Sequence, residues 1–323
     1  FSHLRSREDS LVQFTLLYQM VLGMFLILCF SLSAEGNPAR NLAYPATLKV
    51  TLFTMLGMQF LGMFTSTMHL GKPQFFYRAT NNLRHSWVSR EILTTGGFFG
   101  LVAGYAGIMT FPYLMAWLSP FSVPLAMACL LGAVIMGPIG LYCMYRCYRI
   151  PARPFWNHWH TGGVFSASGL ILGSLAIGLI FGVTALTTGA ETALLFSFLA
   201  WPLLTGLLLQ GISLLAHLRY LKQKGEEAAV SRMLMLNRFG KTYIARYISL
   251  AVLIIGAILF AFQYITGGWG VFVWGMIFLQ AILHEVIGRA IFYVAVIPTT
   301  IPGAFFWGNK SFEAHARKSG LAN

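Results

Sequence analysis

The chain has 323 residues, of which 57% are hydrophobic and only 10% charged, with a formal net charge of +13 and a mean hydropathy of +0.70. Apolarity on this scale excludes a soluble globular enzyme and marks a polytopic membrane protein. The basic residues fall between apolar runs, so topology and the docking of a protein partner account for the charge, and nucleic acid is set aside as a partner.

A helix crosses the hydrocarbon core with about 20 apolar residues. By that rule eight spans are predicted, at 11–33, 46–68, 91–111, 124–145, 161–186, 192–218, 243–266 and 271–296. Residues 1–296 form one transmembrane domain and 297–323 a C-terminal tail. Turn chemistry separates the spans: Glu35-Gly36-Asn37-Pro38, Pro112, Ser119-Pro120, Pro151 and Gly267-Gly268. No β-barrel alternation occurs, so the fold class is all-α, a membrane helix bundle. The sequence opens at Phe1 rather than Met and shows no signal-peptide pattern, so its true start is expected further upstream.

The first span carries Thr15, Gln19 and Gly23 at i, i+4 and i+8, on one helix face. Such a stripe serves helix packing, or it presents Gln19 to a ligand carbonyl. Between the second and third spans lies His69-Leu70-Gly71-Lys72-Pro73 through Trp87-Val88-Ser89-Arg90-Glu91, with His69 closing one span and Glu91 opening the next. A His near neutral pKa and a membrane-surface carboxylate suit the exchange of protons with a redox ligand in the bilayer, such as a quinone. The plainer reading has His69 capping its helix and Glu91 pairing with an Arg. Trp87 and Arg90 are expected behind this pair.

The four cysteines, Cys29, Cys129, Cys143 and Cys147, lie in spans or at a span edge without C-x-x-C spacing, and are read as packing residues. They offer no run suited to an iron–sulfur cluster. The eighth span contains Glu285 and Arg289 at i, i+4, able to share a face; Arg289 lies about 10 Å inside the membrane, the depth of a bound head group. A structural ion pair between helices is the alternative. His284 is deep, whereas His69 and His217 are near the membrane edge and His158 and His160 belong to a loop or its margin, so no two intramembrane histidines match in depth and haem is not expected.

Lys and Arg concentrate at the N-terminus, in the second, fourth and sixth connections and in the tail; the odd connections hold only Arg40 and Lys49. The positive-inside rule places both termini and the even connections in the cytoplasm. The even connections also collect Phe75, Phe76, Tyr77, Trp87, Phe155, Trp156 and Trp159, a composition suited to a protein partner.

At these residues the chain resembles the DmsC family, the membrane anchor subunits of dimethyl sulfoxide reductase-type complexes. The resemblance rests on Phe14-Thr15 with Gln19 and Gly23; on the loop from His69 to Glu91, the most specific part; on Arg153-Pro154, Trp156-Asn157 and Thr161; and on Glu285, Ile287-Gly288-Arg289 and Phe292-Tyr293. It implies a haem-free eight-helix subunit of the bacterial inner membrane. It also implies partners: an iron–sulfur subunit with [4Fe–4S] clusters docking on the face of the even connections, and a molybdopterin catalytic subunit. It puts the family's quinol-site His on His69 and its loop carboxylate on Glu91; with Gln19 and Arg289, read from their own chemistry, these make the expected site for ubiquinone or menaquinone, with Thr15, Trp87, Arg90 and Glu285 around them.

In reductases of this family the catalytic pair is usually exported. The charge pattern here points instead to cytoplasmic catalytic subunits, as in the SoeABC-type sulfite-oxidising complexes, which makes sulfite oxidation with quinone reduction the favoured expectation. A DMSO or N-oxide reductase anchor oxidising quinol is the alternative. Two other classes are a secondary transporter or proton channel, suggested by the intramembrane Glu285 and Arg289, and a purely structural anchor; a broken-helix transporter has one candidate break, Gly137-Pro138.

Overall fold

The computed structural model describes residues 9–33, 35–68, 70, 72–111, 119–223 and 225–296. Among them are eight helices long and apolar enough to cross a membrane: α1 (Asp9–Ser33), α3 (Pro45–Met68), α4 (Trp87–Thr110), α5 (Ser122–Cys147), α6 (His160–Thr188), α7 (Ala193–Gln223), α9 (Gly240–Ala261) and α10 (Gly267–Val294). Two short helices, α2 (Pro38–Asn41) and α8 (Gly225–Met233), and a 3₁₀ helix at Pro73–Thr80 sit in connections, and no strand occurs among the described residues. The all-α bundle expected from hydropathy is the fold.

The spans fall into two groups of four. α1, α3, α4 and α5 pack on one another, and α6, α7, α9 and α10 close a second ring. α1 and α6 are the most enclosed helices and join the halves. Small residues allow this contact. A Cβ added at Gly23 would overlap the Gly169 carbonyl, and one at Gly173 would overlap the Gly23 backbone, so the two helices touch backbone to backbone. The outer faces carry apolar stripes at helical spacing, such as Ile244, Ile248, Val252 and Ile255 on α9, which suit contact with lipid tails.

Helix ends follow local chemistry. Ser86 Oγ accepts from the Ser89 amide at 3.2 Å, which starts α4 at Trp87, four residues ahead of the expected boundary. Glu91 therefore sits in the second turn of the helix rather than opening it. α7 runs to Gln223, past the predicted end at 218, and α9 stops at Ala261, short of 266. α5 continues as helix through Pro138, and α7 does the same through a second internal proline, Pro202. The Tyr18 hydroxyl donates to the Gly137 carbonyl at 2.7 Å, tying α1 to α5 beside Pro138.

Candidate functional site

The starts of α1 and α4 and the ends of α3, α5 and α10 lie at the same end of the bundle, the end that carries the even connections. They enclose a cavity of about 560 Å³. Its walls are mainly apolar: Leu11 and Phe14 from α1, Met63 from α3, Phe76 and Ala79 from the 3₁₀ helix, and Val88 and Ile92 from α4. Polar groups enter at a few points, from Ser66, Thr67, Glu91, Cys147, Tyr148, Arg153, Trp156 and Tyr293. An apolar chamber of this size with few convergent polar groups is the usual form of a small-molecule site.

Glu91 reaches the cavity because Val88, Glu91, Ile92 and Thr95 follow one another at helical spacing along a single face of α4. Cys147 Sγ, at the end of α5, donates to Glu91 Oε2 at 3.1 Å. Beside it the Tyr148 and Tyr293 hydroxyls share a hydrogen bond of 2.5 Å, linking the end of α5 to α10. Burial, with Tyr293 and Glu91 nearby, holds the Tyr148 hydroxyl well above the ordinary phenol range, so it stays protonated as a donor. Trp156 Nε1 donates to the Phe292 carbonyl at 2.7 Å, and the Arg153 guanidinium lies 4.6 Å over the Trp156 ring.

The expected site residues separate into three places. Glu91 lines the cavity. His69 lies outside the described residues, although Thr67 and Leu70 on either side of it line the cavity. Gln19, Arg289 and Glu285 are buried in the polar interior, and none of them lines the cavity. Arg289 Nη2 donates to Gln19 Oε1 at 2.6 Å and to Ser168 Oγ at 3.4 Å, with the guanidinium 4.1 Å over the Phe165 ring. Glu285 accepts from Ser168 Oγ at 2.8 Å and from Gln210 Nε2 at 2.9 Å, so Ser168 bridges Glu285 and Arg289. Tyr148, packed on Phe165, Phe292 and Trp156, belongs to the aromatic wall between this cluster and the cavity. Thr15 Oγ1 donates to the Leu11 and Val12 carbonyls of its own helix at 2.8 and 3.2 Å and lies in hydrogen-bond contact with Tyr293, so it stands just behind the cavity wall.

Trp87 and Arg90 also stay out of the cavity lining. Trp87 is held between the guanidinium groups of Arg90 and Arg146, at 4.3 and 4.4 Å from its ring. Arg90 Nε and Nη2 donate to the Leu83 and Arg84 carbonyls at 2.8 and 2.7 Å. Together they clasp the second connection onto α4, and Ser89 Oγ strengthens the clasp by donating to the Ala79 carbonyl at 2.5 Å.

Two features depart from what the sequence suggests. Cys147, expected to be a packing residue, contacts the one carboxylate among the described cavity-lining residues. His160 and His217, expected at membrane margins, are both buried and stack at 3.5 Å between ring centroids with planes 4° apart, with His158 about 6 Å from each. The shared depth of the α6 start and the last turns of α7 was the available signal. The parallel rings present faces rather than nitrogens to one another, which is no geometry for metal held between them.

The family model described as DMSO reductase anchor subunit (DmsC) matches residues 5–294. The C subunit of the anaerobic dimethyl sulfoxide reductase of Haemophilus influenzae is 29% identical over 170 residues, 53% of this chain and 57% of the relative. The anaerobic dimethyl sulfoxide reductase subunit YnfH of Escherichia coli K12 is 27% identical over 208 residues, 64% of this chain and 69% of that one. The C subunit of the same organism is 28% identical over 177 residues, covering 53% and 58%. The matched stretch thus spans between 57% and 69% of the curated relatives.

Proposed function

Because the chain belongs to the DMSO reductase anchor subunit (DmsC) family, we propose that it anchors a molybdopterin and iron–sulfur oxidoreductase to the bacterial inner membrane and exchanges electrons with quinone in the 560 Å³ cavity. The observation that carries this reading is the cavity itself: a largely apolar chamber at the bundle end, with Glu91, Cys147 and the Tyr148–Tyr293 pair gathered at its polar points. Its volume falls within the range of about 300–1,000 Å³ common to small-ligand sites.

Quinol oxidation releases two electrons and two protons. In the proposed site Glu91 takes a proton from a quinol hydroxyl as the electrons leave for the iron–sulfur subunit. The Cys147 thiol holds the carboxylate in position. Tyr148 and Tyr293 supply hydroxyls for the ring oxygens, and His69, by its place between Thr67 and Leu70, is proposed as the second proton-exchanging group. Reduction of quinone runs the same transfers backwards. Gln19, Arg289 and Glu285 support the wall of the site from behind it.

The names of the relatives favour an S-oxide reductase complex fed by quinol. The sulfite reading finds no support among these names; what favours it is the basic even-connection face, which by the positive-inside rule lies in the cytoplasm with both termini. In either case the proposed docking face for the iron–sulfur subunit, with its [4Fe–4S] clusters, is the end that holds the cavity. Photolabelling of the purified complex with an azidoquinone tests the central claim. Labelled peptides are expected from the start of α4 and the end of α5. Labelling confined to other helices rejects the cavity as the quinone site.

A further inference from the structure

Beyond the aromatic wall, toward α7 and α9, lies a second chamber of about 20 Å³, lined by His160, His217, Arg246, Glu285, Gly288 and Arg289 among others. By this measure one water needs roughly 10–15 Å³, so the chamber holds a single small particle.

Its charge is unbalanced. Glu285 is committed on both oxygens, to Ser168 and Gln210, and offsets one guanidinium. Arg289 is occupied by Gln19 and Ser168. Arg246 is different. It is 5% exposed, and its Nε has no hydrogen-bond partner among the described residues. Its guanidinium lies against the bare Cα of Gly288, where any Cβ would overlap it. The two stacked imidazoles, in face contact at 3.5 Å, add no compensating negative charge. Among the described residues two guanidinium groups and one carboxylate therefore leave one positive charge in excess, in a protein interior where an uncompensated ion is strongly unfavourable. A water would satisfy the free N–H but would not neutralise the charge.

We propose that this chamber binds one small monovalent anion of the halide class, held by Arg246 with Arg289 contributing to the field. Phe155 and Met235, from the fourth and sixth connections, form part of its lining, so the chamber lies toward the even-connection end. The site is separate from the large cavity and does not depend on what that cavity binds.

The test uses the full-length protein in lipid nanodiscs with the subunits that accompany it. Bromide replaces chloride, and anomalous diffraction or a halide-exchange density difference locates it. Chloride and gluconate are also compared by thermal unfolding at equal ionic strength. A bromide peak beside Arg246 is expected, with a midpoint about 2–4 °C higher in chloride than in gluconate. Both effects should vanish in a folded Arg246→Gln protein. A chamber holding only water in bromide overturns the proposal, and so does a chloride shift that persists in folded Arg246→Gln. If that variant does not fold, the bromide map of the unsubstituted protein decides alone.

Discussion

Cys147 Sγ donates to Glu91 Oε2 across 3.1 Å, so the last residue of α5 fixes a carboxylate on the second turn of α4 inside the cavity. No charged partner is needed to orient the carboxylate, which leaves it able to take or give a proton. Replacing Glu91 by Gln removes the acceptor and is expected to lower quinone-linked turnover by about 10²–10⁴-fold, the usual range for loss of a general base. Cys147→Ala keeps the carboxylate but loosens it, with an expected loss of about 10-fold, while Cys147→Ser restores a donor and most of the rate. Steady-state assays with a quinol analogue measure all three. Full activity in Glu91→Gln removes it from the proposed role.

His69→Arg is expected to reduce quinone-linked turnover by at least about 100-fold, while the soluble subunits keep their activity with artificial dyes. The two assays on one membrane preparation separate a quinone defect from failed assembly. Unchanged quinone-linked turnover excludes His69 from proton exchange.

The number and order of the spans were legible because twenty-residue apolar runs have few other uses, and Glu91 was legible because a carboxylate at such a boundary is conspicuous. The site's full shape was not. Gln19 and Arg289 have the right depth for a ligand, but which side of Tyr148 they occupy depends on how α1, α6 and α10 pack, which no periodicity encodes. Arg90 precedes Glu91 directly and Trp87 lies one turn before it, yet both are drawn into the clasp with Arg146 and not into the cavity lining, a choice that helical spacing does not encode. Cys147 became relevant only once the end of α5 met the start of α4.

The placement of Gln19 has a direct test. Gln19→Leu removes the acceptor 2.6 Å from Arg289 Nη2 in a buried setting. A destabilisation of about 1.5–3 kcal/mol is expected, the range for a hydrogen bond to a charged group. Quinone affinity, measured by titration on the same preparation, should stay within about threefold of the parent. A large loss of affinity without a loss of stability would return Gln19 to the ligand.

The α1–α6 contact predicts a contrast between two glycines. At Gly23 an added Cβ meets the Gly169 carbonyl, which cannot yield as a flexible side group would, whereas at Gly57 nothing lies within 4 Å. Gly23→Ala should therefore destabilise the bundle by about 1–3 kcal/mol. Gly57→Ala should be neutral or slightly stabilising, since Ala favours helix over Gly by up to about 1 kcal/mol. Thermal unfolding in one detergent compares them; equal midpoints would show that the halves are held apart more widely than the backbone contact implies.

Topology decides between the two chemistries proposed for the complex. The even connections and the tail hold most of the Lys and Arg, the odd connections only Arg40, with Lys49 near the start of α3, and the eight spans among the described residues would keep both ends on one side. By the positive-inside rule, basic loops retained in the cytoplasm would place the cavity end there as well. A reporter fused after Asn323 is expected to read cytoplasmic, which favours catalytic subunits that are not exported and the sulfite reaction. A periplasmic reading would turn the cavity end outward, require the partner subunits to be exported, and leave quinol-driven S-oxide or N-oxide reduction as the activity. The reporter speaks only to orientation, so it is paired with assays of the purified complex for sulfite oxidation and for S-oxide reduction, and the pair must agree.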